Sequence, residues 1–486
     1  MKRDWDIVFS KRIDGSKPTP LYMQIIQAVI HDIESGRLAP GTYLPSSREL
    51  ARSINVNRKT VVLAYEDLIA QGWLSASTTR GTQVCQTLPD ATQSQVAPDE
   101  TMGEYAETSF ALKPPPQRPL ALPEGSGIKI DEGSPDGRLF PPELISRAYR
   151  NASRIAAQEN RLQYSDPRGH IGLRKSIAHM LQTQRGLRLD SQNICVTRGS
   201  QQAIFLSALA LLKPGDAVIV EALTYEPAVA AFKALGAKII PVGLDQHGIH
   251  VEEVEAVCLE NSVKAVFVTP HHQFPTTVAM KPDRRLRLVE LSRRFEFAII
   301  EDDYDHEFHF RSQPLLPIAS YAPQQVLYVG SLSKLLLPAL RIGYLAAPKP
   351  QIDAFAHLIS VVDGMGNTLT EMAVNTLIEN GELRRHARKA LKIYRARRAH
   401  FADLLQHYLG DLVRFDIPDG GLAFWLRFDT DLDKLESRAA AAGLRFASHK
   451  SFRAGPNAEA GLRLGFASPD QTEAEKVVSA LLQASA

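Results

Sequence analysis

The chain is poor in cysteine. Cys85, Cys195 and Cys258 are the only three in 486 residues. An odd, widely separated set of this kind argues against a disulfide framework and fits a reducing compartment. None stands in a metal-ligand spacing, and neither His271 nor His272 clusters with them in sequence, so no metal site is expected. Long apolar runs are missing too. No stretch reaches the ~20 residues of a bilayer-spanning helix, and the opening Met-Lys-Arg-Asp-Trp-Asp has no apolar signal core. A cytoplasmic protein with no membrane attachment is expected. Neither sign of charge dominates, since 56 Lys+Arg against 54 Asp+Glu leave a formal +2. That balance conceals a net basic stretch over residues 1–85, with cations tightly spaced from Arg48 to Lys59. The chain is long enough for two or three domains with substantial cores.

The most informative stretch runs from Phe297 to Leu345. Phe-Ala-Ile-Ile-Glu-Asp-Asp-Tyr (297–304) is followed by Val-Leu-Tyr-Val-Gly-Ser-Leu-Ser-Lys (326–334) and then by Arg341-Ile-Gly-Tyr. The charged groups follow short apolar runs rich in β-branched residues, the pattern of buried parallel strands. Asp302 and Lys334 are thereby expected at the carboxyl ends of neighbouring strands, where open α/β sheets bind ligands. A buried lysine facing a buried carboxylate is costly unless something lies between them. Pyridoxal 5′-phosphate (PLP) suits that gap: Lys334 can form a Schiff base with its aldehyde and Asp302 can hold the ring nitrogen protonated. Tyr304 is then placed to hydrogen-bond the ring oxygen O3′, and Ser331 and Arg341 to hold the phosphate. Upstream, Ile194-Cys-Val-Thr-Arg-Gly-Ser-Gln-Gln reads as a strand, a glycine turn and a helix start, whose free amides suit a phosphate. Tyr225, after the strand Ala217–Val220, offers a ring to stack on the pyridine face.

The amino-terminal 17–85 segment reads differently. A helical stripe of Leu21, Ile25, Ile26, Val29, Ile30 and Ile33 ends near Gly36. Ser46 and Glu49 form a capping box for a short second helix, and Asn57 can cap a third with Val61, Ala64, Tyr65 and Leu68 turned inward. Gly72-Trp73-Leu74 and Gln83-Val84 read as two strands around the turn Thr79-Arg80-Gly81. Three helices and a hairpin make a winged helix-turn-helix, an α+β unit whose third helix presents its first turn to the major groove of double-stranded DNA. Asn57, Arg58, Lys59 and Thr60 lie at that turn. Arg48 and Arg80 are candidates for phosphate or minor-groove contact. Residues 86–120 are rich in Gln, Thr, Pro and acidic groups and are expected to be a flexible linker. The cations between Leu383 and Arg398 read as a solvated helix face in preference to a second DNA-contacting surface.

These motifs carry a family resemblance. Leu44-Pro-Ser-Ser-Arg-Glu-Leu-Ala, Val56-Asn-Arg-Lys-Thr-Val and Ala64-Tyr-Glu-Asp-Leu resemble the GntR family of bacterial repressors. From Gly133 onward the order of motifs resembles fold-type I, class I aminotransferases, an α/β large domain with a smaller α+β carboxy-terminal subdomain from about residue 360 to 486. The entry segment Ser134-Pro-Asp-Gly-Arg-Leu-Phe-Pro resembles the MocR subfamily, which joins the two. The resemblance implies a homodimer, with Tyr164 reaching the cofactor phosphate of the partner subunit and Ser200 and Gln201 as phosphate ligands. It also implies that Gln273 lies near O3′ and that Arg463 pairs with a substrate α-carboxylate. Glycine is common in the family at the position of Thr277. Two functions compete. One is a transcription regulator that senses PLP, or its adduct with an amine or amino acid, and controls vitamin B6 or amino-compound metabolism. The other is a working aminotransferase with an accessory DNA-binding domain. Relatives that respond to γ-aminobutyrate carry an arginine where this chain has Pro227, which disfavours that effector.

Overall fold

The computed structural model describes residues 13–15, 19–77, 81–89, 110, 120, 122, 127–310, 315–455 and 458–485. The expected linker thus falls mostly outside the described residues, as do Thr79 and Arg80. The chain divides into two compact units, residues 1–113 and 114–486.

In the first unit, α1 (Leu21–Glu34), α2 (Ser47–Ser53) and α3 (Arg58–Ala70) precede a two-stranded antiparallel hairpin of β1 (Leu74–Ser77) and β2 (Gly81–Val84). Ile25, Val29, Leu50, Val61, Leu68 and Val84 close one small core. The capping box is present, with the Ser46 amide donating to Glu49 Oε2 at 3.0 Å and the Glu49 amide to Ser46 Oγ at 3.3 Å. The first strand begins at Leu74, two residues later than its sequence suggests. Gly72, at φ +81°, and Trp73 instead close α3, their amides donating to the carbonyls of Ile69 and Leu68.

The second unit is built on seven strands: β3 (Ile194–Thr197), β4 (Ala217–Glu221), β5 (Lys238–Val242), β6 (Val263–Val268), β7 (Ala298–Asp303), β8 (Val326–Ser331) and β9 (Gly343–Ala346). Their order is β3-β9-β8-β7-β6-β4-β5. All neighbours pair in parallel except β9, which runs antiparallel to both β3 and β8. The period-two geometry of a strand divides the side chains between two cores. Val266, Ile299 and Tyr328 face one; Phe267, Ile300 and Val329 face the other. This is the α/β large domain. Beyond it, β10 (Val413–Arg414), β11 (Ala423–Phe428) and β12 (Leu462–Gly465) form an antiparallel sheet covered by helices that include α6 (Glu382–Leu409). Ile128–Lys129 returns from far upstream to pair with Leu444–Arg445. Of the basic run on α6, Arg384, Arg385, Arg388, Lys389 and Lys392 are exposed, whereas Arg397 is turned inward to Asp136.

Candidate cofactor cavity and nucleic-acid interface

Parallel pairing of β7 with β8 sets Asp302 opposite Val329, so Asp302, Ser331 and the turn carrying Lys334 emerge at one sheet edge. They line a cavity of about 290 Å³ with Ser200, Gln201, Tyr225, Tyr304, Ser333 and Arg341. Asp302 is buried and its Oδ1 has no hydrogen-bond partner among the described residues. Burial, reinforced by Asp303 and Asp305, pushes its carboxyl well above the usual range, with Lys334 opposing. Lys334 does not satisfy it: the ammonium donates to the Gly133 carbonyl at 2.5 Å. Burial pulls the Lys334 pKa down from its ordinary value, against the nearby Asp131 and Asp305. An acid and an amine are therefore both biased towards neutrality around a space that neither fills. Tyr304 donates its hydroxyl proton to the His272 carbonyl at 3.0 Å.

The other end of the cavity is a cradle of backbone. α4 (Ser200–Leu211) has Gly199 as its N-cap, at φ +82° and without a side-chain cap, so the first-turn amides lack side-chain partners there. Gly343, at the start of β9, lies against it, and a Cβ there would come within 2.5 Å of the Gly199 carbonyl carbon and 2.8 Å of the Ser200 nitrogen. Arg341 adopts φ +52° and donates to the Arg198 carbonyl at 2.9 Å. Gln201 donates to the Pro227 carbonyl at 2.7 Å, leaving its Oε1 unpartnered, as is Ser333 Oγ. Tyr225 stands before α5 (Glu226–Ala234), with the Phe274 ring edge-on at 5.2 Å.

In the first unit, Arg48, Asn57, Arg58 and Lys59 are exposed and Thr60 is half-buried. The four from Asn57 to Thr60 stand at the start of α3, where Asn57 Oδ1 accepts the Lys59 amide at 2.9 Å. That bond fixes the helix end and commits one of the two polar atoms of Asn57.

Residues 128–481 match the family described as aminotransferase class I and II, and residues 21–84 match the bacterial regulatory proteins of the gntR family. Two regulators align over nearly the whole chain. One is the probable rhizopine catabolism regulatory protein MocR of Rhizobium meliloti, 28% identical over 97% of this chain and 95% of its own. The other is the HTH-type pyridoxine biosynthesis transcriptional regulator PdxR of Corynebacterium glutamicum, 30% identical over 94% of each. The chain belongs to the MocR-type regulators. Among solved structures, the kynurenine aminotransferase of Pyrococcus horikoshii is 28% identical over 74% of this chain and 91% of its own, with a TM-score of 0.69. PLP is the cofactor that the aminotransferase domain of this MocR-type chain implies, and the cavity fits it. The orphaned Asp302 oxygen needs a cationic ring nitrogen, the amine of Lys334 needs an electrophile, and the glycine cradle needs an anion.

Two residues expected in the site stand behind its wall. Gln273 lies behind the wall, its amide donating to Glu221 and to the carbonyls of Leu223 and Phe274, while its Oε1 accepts from Thr276. Arg463 is also behind it, 1% exposed, donating to the carbonyls of Glu132 (2.8 Å) and Pro275 (2.6 Å) and to Tyr304. A ligand carboxylate would have to displace those carbonyls. Tyr164, expected at the cavity of a partner subunit and not of its own, is 93% exposed and does not line the cavity of its own chain. Glu132, Ser134 and Ser333 line the cavity without having been expected. Ser333 was visible in Ser-Leu-Ser-Lys. Glu132 and Ser134 had no local signal, because the returning strand at Ile128 brings them in. Thr277 keeps the left-handed backbone of a glycine (φ +65°), held by its amide donating to the Gln273 carbonyl at 2.6 Å. Among the described residues no helix is long and apolar enough to cross a membrane.

Proposed function

We propose that this regulator acts as a homodimer in the cytoplasm, holds PLP at Lys334, and changes its grip on operator DNA when the occupant of that cavity changes. The observation that carries the reading is the coexistence, in one chain, of an exposed basic first turn on α3 and a buried cavity with an unsatisfied Asp302 beside Lys334. When bound, the cofactor supplies an aldehyde that captures primary amines. The residues around it do the rest. Lys334, with its pKa lowered by burial, supplies an amine that is held in the ammonium form less firmly than a surface lysine. Asp302 holds the proton on the ring nitrogen, Tyr304 orients the ring oxygen, Tyr225 covers the ring face, and Ser200, Gln201, Ser331 and Arg341 fix the phosphate.

The exposed Tyr164 supports a second subunit that covers it and receives its hydroxyl. An incoming amine or amino acid that takes the place of Lys334 frees that side chain to move. For such exchange to alter DNA affinity, the two dimer arrangements must differ in their affinity for the ligand. Arg58, Lys59, Thr60 and Arg48 would make the DNA contacts, with Arg80 on the wing.

The test uses the full chain with DNA from upstream of its own gene. Absorbance near ~420 nm reports the lysine-bound cofactor, and fluorescence anisotropy reports DNA binding as PLP, amines and amino acids are titrated. A ligand-dependent change in DNA affinity with little keto-acid production is expected. Keto-acid formed over many cycles with unchanged DNA affinity would make the chain an aminotransferase with an accessory head. Lys334→Ala should abolish the absorbance while leaving the first unit folded.

A further inference from the structure

Spacing along the sequence predicts no metal site, yet the fold brings the adjacent pair His271 and His272 together with His309, a histidine remote from them in sequence. His271 and His272 follow β6; His309 follows β7 and forms an isolated bridge with Gly420. One ring nitrogen from each lies within 4.8 Å of the others. His271 and His272 are 4% and 3% exposed. Both nitrogens of His271, Nε2 of His272 and Nδ1 of His309 have no hydrogen-bond partner among the described residues. Leaving one buried polar group unsatisfied costs about 1–3 kcal/mol, so three converging ring nitrogens, one from each histidine, call for an occupant.

His272 shows which occupant. Its Nδ1 meets Asp305 Oδ1 at 2.7 Å. An ionised carboxylate only accepts, so Nδ1 is the donor, and in the neutral imidazole Nε2 then carries the lone pair. A carboxylate behind an imidazole whose far nitrogen is free is the outer-shell arrangement of metal-ligating histidines. We propose that His271, His272 and His309 form a site for a divalent first-row transition cation of the zinc class, beside the cofactor cavity and separate from it. Three nitrogen donors suit such an ion, whereas calcium and magnesium require oxygen. With three protein ligands, one coordination position stays open. A second cluster, Asp433, Glu436 and His449, is a poorer candidate. There His449 is bound to Glu436 at 2.8 Å and Asp433 to Lys450 at 2.7 Å.

The site joins three segments: the loop after β6, the stretch 305–309, and the turn at Gly420. The His272 carbonyl is also the acceptor for Tyr304. An ion here would therefore stiffen one wall of the cofactor cavity. Gly420 packs against His272 Nε2, and a methyl group there would intrude on the space in front of that nitrogen.

The experiment strips the full-length protein with chelator, then titrates Zn²⁺ against a chromophoric competitor and records the visible spectrum with Co²⁺. One ion per chain is expected, with a Co²⁺ spectrum of low coordination number. His271→Ala, His309→Gln and Gly420→Ala should each lower affinity at least ~10-fold, while His449→Ala should not. Gly420→Ala keeps all three ligands, so it decides the matter should a histidine variant fail to fold. Lys334→Ala, which cannot anchor the cofactor, should bind the ion as the parent does, so the site stands or falls apart from the regulatory reading. Absence of uptake at micromolar Zn²⁺ overturns the proposal. So does uptake that survives these substitutions, or that vanishes with His449→Ala.

Discussion

Replacing Gly343 with alanine isolates the phosphate cradle from every charged group in the cavity. Gly343 is not in the left-handed region, so its backbone accepts alanine, and the perturbation is one methyl group. That methyl would meet Gly199 carbon at 2.5 Å, Gly199 Cα at 2.7 Å and Ser200 nitrogen at 2.8 Å. Ordinary contact needs roughly 3.5 Å or more, so the backbone must yield by nearly 1 Å. Forcing an extra methyl into packed surroundings costs about 1–3 kcal/mol. The strain can be relieved in two places. If the Gly199–Ser200 turn gives way, the cofactor-free protein keeps its stability while PLP affinity falls about 5- to 150-fold, at 1.4 kcal/mol per decade. If β9 gives way, stability falls and affinity is spared. Because Gly343 is held by pairs to Thr197 on one side and Ser331 on the other, the turn should yield first. PLP titration followed by absorbance, alongside urea unfolding of the cofactor-free protein, separates the two. Affinity within twofold of the parent, with a clearly destabilised protein, would refute the expectation that the Gly199–Ser200 turn takes up the strain.

Three further outcomes follow from particular residues. Arg58→Ala should weaken DNA binding and reduce the slope of log affinity against log salt by about 1, as measured by anisotropy over a salt series. Glu221 is buried, with one carboxylate oxygen unpartnered, and its pKa is raised to about 7. The native state thus binds more protons than the unfolded chain between the ordinary value near ~4.3 and 7, and stability is lost as pH rises through that window. Glu221→Gln should gain on the parent by roughly 4 kcal/mol across it, read by urea unfolding at acidic and alkaline ends; an equal gap at both would exclude this titration. Arg185→Met removes the partner of buried Asp303, bound at 2.5 Å, and should cost about 3–5 kcal/mol in the unfolding of the large domain. An unchanged midpoint would show that Tyr328, which donates to Asp303 at 2.6 Å, suffices alone.

The parts of the site legible in the sequence are those where a functional residue directly follows a buried strand. Asp302, Ser331 and Lys334, and the Gly199–Gln201 turn, each stand at the end of an apolar run, and strand pairing does the rest. What escaped depends on contacts remote in sequence or on where donors point. Glu132 and Ser134 reach the cavity through a strand that pairs with Leu444–Arg445. His309 meets His272 because the stretch after β7 folds back under the loop after β6. Gln273 and Arg463 were legible as residues near the site, but not the main-chain carbonyls that occupy them. The hairpin began two residues late because a glycine with the pattern of a strand start was needed to end a helix.

The bond between Lys334 and the Gly133 carbonyl ties the reactive amine to the main chain just after the expected linker. Any chemistry that withdraws this amine removes a side-chain tie on Gly133, just downstream of the paired strand at Ile128–Lys129.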